Sequence, residues 1–129
     1  MKKIFTLVTL LGLLVFQAVA QKAPPKPGCA DAQDQNTMNR CAQEEFQKAD
    51  AALNKAYQQL LPKLEAAHKE KLKMAQRAWI AFRDAHCECE AFAFDGGSMQ
   101  PLIRFSCMAA ETNARTKQLQ AMLKEMTSR

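Results

Sequence analysis

The residues with the most chemical potential in this chain form a tight run, His86-Cys87-Glu88-Cys89, and three further cysteines stand at 29, 41 and 107. Imidazole, thiol and carboxylate together suggest a metal site or a Cys–His nucleophile. The spacing argues against both. On a helix four consecutive residues fan around the axis, so their ligand atoms diverge, whereas zinc needs a closed tetrahedral set. A thiol committed to a disulfide is also lost as a nucleophile. No other nucleophile–base set is visible, His68 stands alone in a charged stretch, and the methionines at helical spacing read as core filler, not a copper site. The expectation is therefore no catalytic residue, no metal and no cofactor. The cysteines are expected to act as staples.

Five cysteines in a chain of 129 residues fit an oxidising compartment. The start of the chain agrees. Lys2 and Lys3 precede an apolar run from Ile4 to Phe16, and Ala18-Val19-Ala20 is a small-residue cleavage site, so residues 1–20 read as a signal peptide. The run is too short to span a bilayer comfortably. No lipid-anchor motif precedes Cys29. The expected product is a soluble periplasmic or secreted chain from Gln21 onward. Its 16 basic and 13 acidic residues give it a charge of +3, against +5 for the whole sequence. Residues 21–28 carry three prolines and two lysines and read as a flexible lead-in. One small domain, 29–129, remains. A core that small gains from covalent bridges.

What must position these residues is helical. Met38, Cys41, Phe46, Ala49, Leu53, Ala56, Leu60 and Leu64 recur at steps of three and four. Asn36 or Thr37 is the expected cap, and Pro62 ends or kinks this helix near Leu61. A second helix is expected from about Ala67 to Phe94, with Leu72, Ala75, Trp79, Phe82, His86 and Ala93 as its apolar stripe. Gly96-Gly97 stops it, since glycine enters the left-handed conformation without a side-chain clash. Ser98 is the expected cap of a third helix, about Met99 to Met126, with Pro101 tolerated in its first turn. No segment alternates with period two. The fold class is therefore all-α, an up-down-up antiparallel three-helix bundle.

The hairpin then places the cysteines. Cys87 lies about nine residues before the centre of the glycine turn and Cys107 about ten after it, so in an antiparallel pair they face each other at one height, as a disulfide requires. Cys89 is about 200° around the helix from Cys87, and only one of the two can face Cys107. Cys29 and Cys41 would tie the lead-in to the first helix.

The topology also sorts charge. Residues 29–50 and 81–112, the half that holds the glycine turn, contain ten acids (Asp31, Asp34, Glu44, Glu45, Asp50, Asp84, Glu88, Glu90, Asp95, Glu111) and four bases (Arg40, Lys48, Arg83, Arg104), a net of −6. The opposite half carries +7. A surface held acidic can steer a basic partner. The turn Asp95-Gly96-Gly97-Ser98, flanked by Glu88 and Glu90, is the candidate partner-binding site, because a short rigid loop loses little entropy on entering a cleft. Tyr57, Trp79 and Phe82 are expected in the core. Arg83 and Asp84, adjacent in sequence, point in different directions and are not an obvious pair; cross-helix bonds are expected for the polar residues around Trp79. Lys63, Lys69, Lys71 and Lys73 lack interleaved aromatics, so nucleic acid is not expected as a partner.

Several of these residues occur as a pattern. Thr37-x-Asn39-x-Cys41, Leu53-Asn54-x-x-Tyr57-x-x-Leu60-Leu61, Gln76-Arg77-Ala78-Trp79-x-x-Phe82-Arg83-Asp84-Ala85-x-Cys87, Gly96-Gly97-Ser98, Cys107 and Thr112-x-x-Arg115 resemble the LprI-like lysozyme-inhibitor family of small exported bacterial proteins. The resemblance covers about residues 29–125. Cys89 lies outside the pattern, so Cys87 and Cys107 are the expected pair and Cys89 the thiol left over. The resemblance implies a non-enzymatic, disulfide-stapled helical protein. It also implies a protein partner of the lysozyme type, a glycosidase that must admit a polysaccharide to a cleft lined by two carboxyl groups. An adaptor or structural protein of the cell envelope is the alternative, or an immunity protein against a wall-degrading toxin.

Overall fold

The computed structural model describes residues 28–128. The segment read as a signal peptide, residues 1–20, and most of the expected lead-in therefore lie outside the described residues. Three helices account for most of the remainder: α1 (Gln35–Leu60), α2 (Ala66–Ala91) and α3 (Gln100–Thr127). No strand occurs among the described residues. The chain runs up, down and up, as the spacing of turns and cysteines predicts.

The helix ends correct the sequence reading in three places. The cap of α1 is Asp34, not Asn36 or Thr37. One carboxylate oxygen accepts from the Thr37 backbone N–H at 2.9 Å and the other from the Thr37 hydroxyl at 2.7 Å. A carboxylate satisfies both donors at once and complements the positive helix end. The α-helical part of α2 stops at Ala91, and Phe92–Phe94 tighten into a 3₁₀ turn. Ser98 does not cap α3: Met99 holds that position without a side-chain bond. The Ser98 carbonyl instead accepts from the Asn39 side-chain amide at 2.9 Å, which ties the turn to the start of α1. Pro62 sits in a short 3₁₀ turn between α1 and α2, and Pro101 in the first turn of α3, as expected.

α1 lies closest to α3, and α2 packs on α3 less extensively. Ala42, Ala49 and Ala56 are buried along α1, and small residues let helix backbones approach. Leu53, Ala56, Leu60, Leu72 and Leu119 form the core, with Tyr57 and Trp79 half-buried against it. Each fully buried leucine contributes roughly 1.5–3 kcal/mol. A second cluster, Cys87, Cys107 and Met108 with Phe46 and Phe105, surrounds one disulfide.

Phe82 is not in the core. It is 56% exposed and stacks on His86, ring centroids 5.4 Å apart. The buried line on α2 runs Leu72, Arg83, Cys87, Ala91, with Trp79 between. The inward step from Trp79 is therefore four residues, to Arg83, not three, to Phe82. Successive steps of four turn the line away from Ala75, Phe82 and Ala93, all of which face solvent.

Candidate functional site

Both disulfides form at the pole that holds the glycine turn. Cys29–Cys41 spans 5.6 Å between Cα atoms and Cys87–Cys107 spans 5.5 Å. Cys89 is exposed and carries a free thiol. The pairing follows from α2 and α3 meeting side by side below the turn. Cys87 points into that seam and is fully buried, while Cys89 points away from it.

The turn between the bridged helices is held by its backbone. The Asp95 N–H donates to the Phe92 carbonyl at 3.1 Å and the Gly97 N–H to the Phe94 carbonyl at 2.9 Å. Gly96 adopts φ +70°, which a side chain would disfavour. At Gly97 the obstacle is spatial, since a Cβ would stand 3.1 Å from the Phe94 carbonyl oxygen.

The carboxylates around the turn are exposed and individually anchored. Glu88 pairs with Arg104 across the α2–α3 seam. Glu90 lies 3.4 Å from the His86 ring nitrogen Nε2. Asp95 accepts from the Gln100 amide at 2.9 Å. Further along the same pole, Arg40 pairs with Glu44 at 2.8 Å. Hydrogen bonds from the Thr37 side chain first, and then from its backbone, hold the Asp34 carboxyl below its ordinary value. These five acids are thus each held by a neighbouring group while facing solvent. Between α1, α3 and the first bridge lies an open groove of about 580 Å³, lined among others by Cys29, Met38, Glu45 and Leu102.

His86, Glu90 and Cys107 bring one ligand atom each within 4.8 Å of the others. The Cys107 sulfur is bonded to Cys87, so no thiolate is available, and a half-exposed His–Glu pair is too few ligands for a closed site.

Sequence reasoning missed the apolar tip of this pole. Phe92, Phe94 and Met99 bracket the turn at 76%, 36% and 41% exposure. The signal was present, as two phenylalanines stand within four residues of a glycine pair, a position where no helix face can bury both. Aromatic and methionine side chains in a polar rim are the composition of an interface centre.

The polar residues around Trp79 do something else. The Arg83 guanidinium sits between two rings, 5.1 Å from the Phe46 centroid and 5.2 Å from that of Trp79. It donates to Thr112 on α3 at 3.3 Å, pairs with Asp84 at 2.8 Å and reaches Asp50 on α1 at 3.6 Å. Arg83 and Asp84 therefore do pair, because the long arginine side chain reaches across the roughly 100° that separates consecutive residues on a helix. Arg115 donates to Gln76 at 3.1 Å and lies 5.9 Å from the Trp79 ring. Gln76, Trp79, Arg83, Asp84, Thr112 and Arg115 thus form one cross-helix network that clamps α2 to its neighbours.

Fold and site together define a small all-helical protein, stapled at one end, whose most densely motif-bearing residues maintain its architecture. The chain belongs to the LprI family, described as lysozyme inhibitor LprI, whose model matches residues 29–119. It is 37% identical over 124 residues to the uncharacterized protein R02472 of Rhizobium meliloti (strain 1021), covering 86% of this chain and 89% of that one. It is 33% identical over 105 residues to the uncharacterized protein YecT of Escherichia coli (strain K12), covering 70% of this chain and 65% of that one. The crystal structure of a DUF1311 family protein from Pseudomonas putida KT2440 shares the fold, with a TM-score of 0.65 at 24% identity over 76% of this chain and 99% of that one. No helix among the described residues is long and apolar enough to cross a membrane.

Proposed function

We propose that this protein is an exported, non-enzymatic inhibitor of a lysozyme or related peptidoglycan-cleaving enzyme, and that it binds its target through the acidic, doubly bridged pole. One observation carries the reading: in a member of a family described as lysozyme inhibitors, the glycine turn, both disulfides and an excess of carboxylates share one end of the bundle. Gly96, Gly97 and Ser98 form the tip. Phe94 and Met99 supply apolar contact beside it. Glu88, Glu90 and Asp95 form the charged rim that steers a basic enzyme. Inhibition needs only that the tip occlude a polysaccharide cleft.

The test is a titration of the oxidised mature protein into lysozymes of several types at low and high salt. Inhibition that weakens as salt rises supports the charged pole. Exposed ion pairs are worth about 0.2–1 kcal/mol each, so Glu88→Gln, Glu90→Gln and Asp95→Asn together should weaken binding by about 3- to 150-fold at low salt. Unchanged affinity in that triple variant would place the interface elsewhere. No inhibition of any lysozyme type at micromolar protein would favour an envelope adaptor instead.

A further inference from the structure

Besides the face that α2 turns to the core, it carries a second apolar face. Met74, Ala78, Ala81 and Ala85 follow one another at steps of four, three and four, with Phe82 along one edge and Phe92 at the end. All are exposed, and Met74, Phe82 and Phe92 are so by 66%, 56% and 76%. The exposed side of α1 reads differently, with Gln43, Gln47, Gln58 and Gln59. A contiguous apolar strip of this length on a small exported protein marks a surface that another protein covers.

The geometry points to a second copy of this chain, paired face to face and antiparallel through α2. The charges beside the face are complementary to themselves. Lys71 and Arg77 flank it in its N-terminal half, beside the mutually paired Glu70 and Lys73, and Asp84 and Glu88 flank it in its C-terminal half. A twofold axis near Phe82 lays each basic half over the other copy's acidic half, whereas parallel pairing would set like charges together. Arg77 and Glu88 are eleven residues apart, about three helical turns, so they share one edge of the face. They stand equally far from the axis, and the symmetry forms their pair twice. Glu88, although paired with Arg104, keeps half its side chain exposed. The three alanines at the centre allow the close backbone approach that buried alanines allow between α1 and α3. Met74 of each copy then covers Phe92 of the other. The two glycine turns end at opposite extremes of the dimer, so this pairing takes Phe92 and Glu88 from the pole proposed for enzyme binding and leaves the turn itself, with Phe94 and Met99, open to the enzyme.

Sedimentation equilibrium of the oxidised chain in a Cys89→Ser background tests this without interference from the spare thiol. We expect a dimer whose dissociation constant rises with salt. Ala81→Arg puts a charge at the centre of an already exposed face; it should give a monomer with unchanged helical circular dichroism and melting temperature. Arg77→Glu should weaken the dimer about tenfold, and adding Glu88→Lys should restore it. A chain that stays monomeric to high micromolar concentration, or a dimer that survives Ala81→Arg, overturns the assignment. Failure of the charge exchange to rescue overturns the antiparallel arrangement. Lysozyme titration of the Ala81→Arg monomer reports separately on the proposed function.

Discussion

Replacing Arg83 with alanine removes a charged side chain that joins all three helices. The guanidinium is only 7% exposed and bonds Asp84, Asp50 and Thr112 between two aromatic rings. Asp50 and Asp84 keep 43% and 47% of their side chains in solvent, so losing Arg83 returns them to water and strands neither charge. The larger costs are the fully buried Thr112 hydroxyl, left without its donor at about 1–3 kcal/mol, and the two ring contacts, about 0.5–2 kcal/mol each. Allowing for non-additivity, we expect a loss of about 3 kcal/mol. For a domain of this size that is a melting temperature lower by roughly 12–24 °C. Lysine, which lacks the planar fork, should recover less than half. Urea unfolding of the oxidised protein, followed by circular dichroism, measures both variants. An Arg83→Ala loss below about 1 kcal/mol would refute the clamp, because that is the scale of an exposed pair alone.

Serine in place of both Cys87 and Cys107 should cost about 3 kcal/mol, the loop entropy of a 20-residue separation, and the Cys29–Cys41 pair slightly less for its separation of 12; thermal unfolding of the two double variants orders them. Gly96→Ala, at φ +70°, should cost about 1–2 kcal/mol, read by the same melt. The Asp34 carboxyl titrates below its ordinary value of 3.8 when folded. Its stabilising contribution is therefore complete above that pH and is lost as pH falls through the folded value. Asp34→Ala should make the acid limb of the stability profile shallower and leave a constant offset at neutral pH, as measured by urea midpoints from pH 2 to 7.

The helices, their order and the bridges were legible because each follows from spacing. Period-3.6 runs, a proline, a glycine pair and two cysteines equidistant from it determine a hairpin with little freedom. The inward face of α2 was not legible. Hydropathy ranks arginine outward and phenylalanine inward, and here Arg83 is buried while Phe82 is exposed. The inversion becomes intelligible only with Phe46, Asp50 and Thr112 in place, on two other helices, to solvate the guanidinium. The cap at Asp34 was missed for a smaller reason. Asp34, Asn36 and Thr37 are all competent caps, and only the local backbone decides among them. At the candidate site the acids and glycines were readable from charge and turn chemistry. Phe94 and Met99 were not, since their importance lies in being left uncovered.

Both sulfur bridges lie at the same extremity, one joining α2 to α3 and the other fastening the lead-in to α1. The Leu61–Glu65 bend and the final turns of α3 have no covalent tie, so opening should begin there, at the lowest free energy, and travel toward the bound end. Amide exchange should be fastest around that bend and slowest beside Cys87. A protease would then nick the chain far from the acidic tip, and the severed α1 and α2–α3 pieces would still meet through the Arg83 cluster.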